Sequence, residues 1–217
     1  MKELGRAIGR NSLLLAGFAV LTAVLVGSAF LGTREAISES RRAAQEKALL
    51  EIVPRDRHDN SMLDDRLAAQ ADDPLLRLPG PRSIFRARRE GQVIAVILPA
   101  YAPDGYSGGI ELVVGVNRDG SIAGVRVLEH RETPGLGDAV DSRKSNWVDD
   151  FRGKALGNPP ADGWAVRKDG GVFDQFTGAT ITPRAVVKII HNSLQYFEVN
   201  RQQLFDTPAK MVVQDGN

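Results

Sequence analysis

The chain has 217 residues, of which 42% are hydrophobic and 25% are charged, and its formal net charge is +1. Its 28 basic and 27 acidic residues do not give the basic excess of a nucleic-acid-binding domain. The sequence contains no cysteine, which excludes disulfides, cysteine-ligated iron–sulfur clusters and thiolate zinc sites.

The first element in chain order is an uncharged run of twenty residues, Ser12 to Leu31. As a helix rising about 1.5 Å per residue, it is long enough to cross a hydrocarbon core roughly 30 Å thick. A cleaved signal peptide is the alternative, but its apolar core is usually only about 7–15 residues long, and no A-x-A-like cleavage site follows. The sequence therefore predicts an N-terminal segment at 1–11 and a single transmembrane helix at 12–31.

The basic residues around this run predict its orientation. Lys2, Arg6 and Arg10 precede the run, whereas only Arg34 follows closely; more distant basic residues, Arg41, Arg42 and Lys47, reduce the asymmetry. The positive-inside rule therefore places the N-terminus in the cytoplasm and the rest of the chain outside it. Without Lys2, Arg6, Arg10 and Glu3, the 28 basic and 27 acidic residues become 25 and 26, so the remainder has a net charge of −1.

Residues 32–83 are predicted to connect the transmembrane helix to a compact domain. The stretch 35–50 is rich in Ala, Glu, Arg and Lys, which predicts a helix. The stretch 71–83 contains Pro74, Pro79 and Pro81, which predicts a connecting segment. The domain is predicted at 84–205, with a C-terminal tail at 206–217.

Within the domain, apolar alternation and turn residues predict the order of elements. These are a strand at 92–98, a hairpin of strands at 110–116 and 122–128, a helix at 142–152, two short strands at 164–167 and 172–174, and a long last helix. Trp147 and Phe151 on the middle helix are expected in the core, and Asp149 and Asp150 on its solvated face. The pattern predicts an α+β fold with a twisted, largely antiparallel sheet packed against helices.

The last helix is predicted to begin at Thr182-Pro183, with threonine as the N-cap and proline in the first helical position. Thr180 then lies just before a helix N-terminus, where unpaired N–H groups and the helix dipole favour a phosphate. Arg184 adds a positive charge in the first turn. The small residues Gly178 and Ala179 leave the Thr180 hydroxyl accessible.

Three segments together resemble one family. Asp174 to Thr180, DQFTGAT, is similar to the D-x-x-[ST]-G-A-T motif for covalent attachment of FMN through a threonine. His130 to Asp138, HRETPGLGD, and the glycine-rich loop Gly105 to Gly109 are also similar to the FMN-binding domain. This domain is shared by the G subunit of the Rnf (Rsx) ion-translocating ferredoxin:NAD oxidoreductase complex and the C subunit of the sodium-pumping NADH:quinone oxidoreductase. The short chain favours the Rnf member of the pair.

The resemblance implies roles for individual residues. FMN would be bound to Thr180 through a phosphoester. The rest of the attachment motif comprises Asp174, Thr177, Gly178 and Ala179. Further residues expected to contact the flavin or hold its surroundings are Ser107, Gly108, Glu132, Thr133, Pro134, Gly135, Leu136, Thr182 and Arg184.

The resemblance also implies partners and a location. A separate flavin transferase would make the bond from FAD, and the other Rnf subunits would exchange electrons with this flavin during ion translocation. The chain would be a single-pass protein of a bacterial inner membrane with its FMN domain in the periplasm, and it would have no catalytic activity on its own.

Two alternatives remain at this point: the C subunit of the sodium-pumping quinone reductase, and a non-redox, membrane-anchored binding or assembly module. Other chemistry is poorly supported. His58, His130 and His191 lack metal-ligand spacing. The loop 105–109 spells G-x-S-x-G, but the following 110–116 is predicted as a strand, whereas a nucleophile elbow leads into a helix.

Overall fold

The computed structural model describes residues 2–71 and 73–207, so most of the predicted tail at 206–217 lies outside the described residues. Its long elements in chain order are α1 (Lys2–Ile52), β1 (Arg66–Ala69), β2 (Arg82–Arg89), β3 (Gln92–Ala102), β4 (Ile110–Asn117), β5 (Ile122–Glu129) and α2 (Ile181–Asp206). Short 3-10 helices lie at Arg55–Arg57, Gly137–Val140, Trp147–Phe151, Ala161–Gly163 and Arg167–Asp169. The chain divides into two compact units, 1–45 and 46–217.

The N-terminal unit is helical, and the predicted transmembrane run lies within α1. Its most apolar 18-residue window has a mean hydropathy of 2.3 and is not buried in the protein. Large side chains such as Leu13, Phe18 and Leu25 are mostly exposed, as expected for a helix whose apolar surface would contact lipid. Among the described residues, α1 is the one helix long and apolar enough to cross a membrane. The helix predicted at 35–50 is its continuation.

The second unit is built on one five-stranded sheet with the order β1-β2-β3-β4-β5, in which every neighbouring pair is antiparallel. The predicted hairpin is present as β4 and β5. Its turn is closed by a hydrogen bond from Gly120 N–H to Asn117 O (2.9 Å). The antiparallel sheet and the long α2 confirm the predicted α+β fold class.

The sheet separates two hydrophobic cores. Along β4, Leu112 and Val114 belong to one core, and Val113 between them belongs to the other, the two-residue alternation of a strand. The larger core contains the apolar side chains of α2, and the smaller contains Leu49 and Ile52 from the end of α1. Both faces of the sheet are therefore covered.

Three predicted elements, one helix and two strands, are wrong in form. The helix predicted at 142–152 is only the 3-10 helix Trp147–Phe151. The Ser145 hydroxyl contributes to this difference, because it donates to Ala139 O (2.5 Å) and accepts from Trp147 N–H (3.2 Å), offering the backbone partners other than helical ones. The strands predicted at 164–167 and 172–174 form a single bridge between Val166 and Phe173.

The alternation that suggested those strands has another cause. Trp164, Val166 and Phe173 are buried, and Phe173 stacks on Phe151 with ring centroids 4.4 Å apart. Alternate residues of an irregular segment thus enter an aromatic cluster. Trp147 and Phe151 are buried as predicted, and Asp149 and Asp150 are exposed.

The sequence prediction does not include β1, and it treats the start of β2 as the end of a connector. In the structure, β1 pairs with β2 across Arg66 and Phe85, so the sheet begins inside the range 32–83. Arginines, one of them at a buried position, mask the strand pattern of β2. Arg86 is 0% exposed and bonds to Asp65. The domain boundaries at 84 and 205 stay predictions.

Candidate functional site

A cavity of about 350 Å³ lies where the loop after β3, the loop after β5 and the start of α2 meet. Its volume is in the range of small-molecule sites. The residues that line it are Tyr106, Glu132, Thr133, Leu136, Gly137, Gly178, Ala179, Thr180, Ile181 and Thr182. The three segments singled out in the sequence are therefore brought together around one cavity.

The structure brings only part of the predicted set to the cavity wall. The predicted residues that line it are Glu132, Thr133, Leu136, Gly178, Ala179, Thr180 and Thr182. Those outside its lining are Ser107, Gly108, Pro134, Gly135, Asp174, Thr177 and Arg184. Gly108 instead lines a separate cavity of about 240 Å³ with Tyr101 and Arg131.

The loop after β5 forms a tight turn that presents Leu136. Leu136 N–H donates to Thr133 O (3.1 Å), with Pro134 and Gly135 in the central positions. Gly135 has a φ of +77°, as required at the third position of a type II turn, and proline suits the second. Gly135 N–H also donates to Asp138 Oδ1 (2.7 Å). The turn leaves Leu136 43% exposed at the cavity.

We expect Gly135→Val to destabilise the protein by about 1–3 kcal/mol, because a β-branched residue at positive φ is strained. No atom lies within 4 Å of the position that a Cβ would occupy there, so the cost comes from the backbone alone. Denaturant unfolding of the purified protein measures it. The control is Gly80→Val, where the added Cβ also has open space and φ is not positive. An equal loss of unfolding free energy in both variants would contradict the positive-φ turn conformation assigned to Gly135.

The start of α2 differs from the prediction and exposes Thr180. The helix begins at Ile181, Thr180 is its N-cap, and the Thr180 side chain makes no capping hydrogen bond. Thr182, predicted as the N-cap, is the second helical residue and is fully buried. Pro183 is tolerated at the third position because N–H groups of the first turn have no partner within the helix. Thr180 therefore has a hydroxyl in the cavity wall that does not cap the helix.

The segment before Thr180 is a second tight turn held by aromatic contacts. Ala179 N–H donates to Phe176 O (3.1 Å), and Gly178 has a φ of +80°. The Phe176 ring packs edge-on against Trp147 at 5.1 Å between centroids. Trp147 Nε1 donates to Asp174 O (2.8 Å). The aromatic cluster therefore holds the start of the segment, and the turn hydrogen bond connects Phe176 to Ala179, next to Thr180.

Two predicted charged residues are committed to ion pairs. The Arg184 guanidinium binds Asp169 through Nε–Oδ2 (2.5 Å) and Nη2–Oδ1 (2.6 Å), and this hydrogen bonding lowers the pKa of Asp169. Asp174 Oδ1 lies 2.9 Å from Arg167 Nη1 at the surface. Neither charge lines the cavity, so the positive potential at the start of α2 comes from its backbone N–H groups.

Glu132 joins the three segments. It is 4% exposed; its Oε1 accepts from Ser107 N–H (3.0 Å), and its Oε2 accepts from the Thr182 hydroxyl. A Cβ on Gly137 would lie 2.7 Å from Glu132 Oε2, so only glycine fits beside this carboxylate. Ser107 thus acts through its backbone on Glu132.

Neither His130 nor His191 lines the cavity. His191 stacks on Trp164 at 5.2 Å, and burial lowers its pKa. His130 Nε2 lies 3.8 Å from Asp141, whose pKa is about 2 because Arg143 hydrogen-bonds to it. Within residues 2–71 and 73–207, no group of three or more His, Asp or Glu side chains could hold a metal ion.

Three cavity residues are absent from the predicted set: Tyr106, Gly137 and Ile181. Tyr106 is 69% exposed and Ile181 45% exposed. Tyr106 and Ile181 could have been identified from the sequence as a large aromatic residue next to a glycine and a large apolar residue at a helix start, because such residues often supply the walls of ligand sites.

Comparison with known proteins also places the three segments around the cavity within one domain. A family model described as FMN-binding domain matches residues 105–195, and one described as RnfG N-terminal region matches residues 1–52. The G subunit of the ion-translocating oxidoreductase complex of Pseudomonas aeruginosa (strain UCBPP-PA14) is 51% identical over 199 residues, which cover 92% of each chain. Its counterpart from Pseudoalteromonas atlantica is 46% identical over 198 residues, covering 91% of this chain and 92% of the relative.

The similarity extends to more distant relatives at nearly full length. The counterpart from Shewanella loihica is 42% identical over 209 residues, covering 96% of this chain and 98% of the relative. Both the N-terminal helix and the domain that holds the cavity are included in these matches. This chain therefore belongs to the family of G subunits of the Rnf ion-translocating oxidoreductase complex, and its C-terminal unit contains the FMN-binding domain of that family.

Proposed function

We propose that this chain is an electron-transfer subunit that carries FMN covalently, through a phosphoester to Thr180 Oγ, and exchanges electrons with the other subunits of an Rnf complex. The observation that carries the proposal is the Thr180 hydroxyl. It makes no capping hydrogen bond, lines a cavity of ligand size, and precedes the first turn of a 26-residue helix.

The residues present fit FMN at both of its ends. The backbone N–H groups of Ile181 and Thr182 lie in the first turn of α2, where they have no partner within the helix, a favourable environment for a phosphate. Tyr106, Leu136 and Ile181 give the cavity apolar and aromatic walls, which suit a flat aromatic ring system. The phosphate end and the ring end thus meet different surroundings.

The attachment step has a simple balance. A flavin transferase outside the cytoplasm would catalyse attack of the Thr180 hydroxyl on the FMN phosphate of FAD. A Thr180 Oγ–P bond forms, the phosphoanhydride bond breaks, and AMP leaves with the hydroxyl proton released. Beside Thr180, Gly178 is exposed and Ala179 is half-buried, and these small residues would let the transferase reach the hydroxyl. Asp174 and Thr177 are exposed and would be available for recognition by the transferase.

Once bound, FMN supplies reversible electron transfer, and the protein supplies attachment, orientation and electrostatics. The turn of Thr133 to Leu136 and the start of α2 would hold the ring between them. Glu132, in the cavity wall, links the loop after β3 and the start of α2 to this turn through its hydrogen bonds to Ser107 and Thr182.

The test of flavin attachment is the visible absorption spectrum of protein that has been coexpressed with a flavin transferase, denatured and washed. We expect flavin absorption to remain with the polypeptide. A colourless polypeptide would support a non-redox binding or assembly module instead.

We expect Leu136→Ala to keep FMN attached but to change its spectrum and midpoint potential, because a shorter side chain exposes the ring to water. Attachment itself is made at Thr180. Flavin retention by mass spectrometry, with a redox titration, separates the two effects. The matched control is Leu128→Ala, since Leu128 is 51% exposed and lies outside the cavity lining. Wild-type spectra and potential in the Leu136→Ala protein would show that this turn does not contact the flavin.

We also propose that the FMN domain lies in the periplasm, on the outer side of a bacterial inner membrane. The basic residues before 12–31 support this orientation. A reporter that is active only in the periplasm, fused after Asn217, is expected to be active, and the full-length protein should stay in the membrane after an alkaline wash. Recovery of a shortened, soluble protein would indicate a cleaved signal peptide.

A further inference from the structure

Glu132 places a buried carboxylate in the wall of the cavity. The side chain is 4% exposed and lines the cavity beside Thr133 and Thr182. Both of its oxygens act as acceptors, one from Ser107 N–H (3.0 Å) and the other from the Thr182 hydroxyl. Each oxygen thus has a donor available, which is what the acceptor-only ionised form of a carboxylate requires.

Among the residues that the structure describes, this carboxylate forms no ion pair with a basic side chain. The imidazole of His130 accepts from Glu132 N–H through Nδ1 (3.2 Å) and directs Nε2 toward Asp141. Arg184, on the neighbouring turn of α2, is paired with Asp169. Asp138, also buried, adds a second carboxylate, which accepts from Gly135 N–H. Apart from Glu132, the titratable side chain in the cavity lining is that of Tyr106, from the glycine-rich loop.

We propose that the buried charge of Glu132 lowers the reduction potential of the flavin held in this cavity, in addition to joining the three segments around it. This inference rests on the proposed function. Reduction adds electrons to the ring system, and a nearby negative charge opposes that addition by Coulomb repulsion. A charge removed from water acts more strongly than an exposed one, which solvent and salt screen.

The substitution that separates charge from structure is Glu132→Gln. The glutamine Oε1 can still accept from Ser107 N–H, and its Nε2 can donate to the Thr182 hydroxyl, which is able to accept. The shape and both contacts are therefore kept while the charge is lost. The matched control is Glu129→Gln, because Glu129 is an exposed carboxylate three residues away that does not line this cavity.

The measurement is a spectroelectrochemical redox titration of the full-length, flavin-loaded protein, with loading checked by mass spectrometry. We expect Glu132→Gln to load like the wild type and to shift the two-electron reduction equilibrium at least about tenfold toward the reduced form, which corresponds to ~30 mV. Glu129→Gln should leave the equilibrium unchanged. Glu132→Ala, which leaves Ser107 N–H and the Thr182 hydroxyl without their acceptor, should load less flavin.

Several outcomes would overturn the inference. A loaded Glu132→Gln protein with the wild-type potential rejects it, as does an equal shift in Glu129→Gln. Glu132→Met gives a second neutral side chain of similar length, and if neither neutral variant folds, the carboxylate is needed for structure and the inference is rejected. Flavin that is bound without a covalent link rejects the attachment to Thr180 but leaves the comparison of potentials valid. A wild-type protein without flavin rejects both proposals.

Discussion

The Thr180→Val protein is expected to fold like the wild type and to carry no covalent FMN, because valine keeps the shape of threonine and removes the oxygen that forms the bond. The Thr180 side chain makes no capping hydrogen bond, so we expect the free energy of unfolding to change by no more than about 0.5 kcal/mol. The measurement is the intact mass after coexpression with the transferase. The wild type should gain the mass of FMN less one water, and the variant should gain nothing.

A matched control for this substitution is Thr133→Val, which removes a hydroxyl from another threonine of the same cavity. Thr133 lies outside the attachment motif, so this variant should retain the adduct. An adduct on the Thr180→Val protein, or its loss from both variants, would contradict the assignment of Thr180 as the attachment residue.

The Asp65→Ala protein is expected to lose about 3–5 kcal/mol of stability, the usual cost of leaving a buried charge without its partner. Arg86 is 0% exposed and donates to Asp65 Oδ1 through Nε (2.8 Å) and Nη2 (2.5 Å). Arg88 contacts the other carboxylate oxygen. Arg86 Nη1 also donates to Thr207 O (2.5 Å) just after α2. Removing Asp65 therefore weakens the edge of the sheet and the C-terminal contact of α2 together.

Denaturant unfolding of the purified protein measures this loss. The control is Asp104→Ala, which breaks ion pairs with Arg77 and Lys188 at the surface, where the Asp104 side chain is 52% exposed. Such exposed pairs contribute about 0–1 kcal/mol. A similar loss of unfolding free energy in both variants would show that the buried network of Asp65, Arg86 and Arg88 stabilises the protein no more than a surface ion pair.

The fold was predictable where the local sequence pattern and the final contacts agree. The hairpin of β4 and β5 was predictable because its apolar alternation, its Asn117 to Gly120 turn and its burial all point to the same structure. β2 was not, because Arg86 and Arg88 occupy strand positions where distant partners, Asp65 for both and Thr207 O for Arg86, make the burial of Arg86 and the half-burial of Arg88 possible. Such pairing across the chain leaves no mark in the local sequence.

In the candidate site, too, features set by the local sequence were predictable and features set by distant partners were not. Residues of the two turns, such as Leu136 and Gly178, were predictable from motifs because glycine and proline fix the turn conformation. Arg184 and Ser107 lie outside the cavity lining, since Asp169 binds the first and Glu132 accepts from the backbone of the second. Thr182 was predicted as the N-cap, yet its hydroxyl donates a hydrogen bond to Glu132, fifty residues earlier in the chain. Spacing along the chain could not reveal these long-range partners.

The central claim, FMN on Thr180, is tested most directly by tandem mass spectrometry of the tryptic peptide 169–184 from protein matured in cells. Cleavage after Lys168 and Arg184 isolates a peptide that contains Thr177, Thr180 and Thr182, so fragment ions can assign the modified residue among the three. We predict that fragments containing Thr180 carry FMN less one water, and that Thr177 and Thr182 are unmodified. A peptide without flavin, or with flavin on Thr177 or Thr182, would contradict the account.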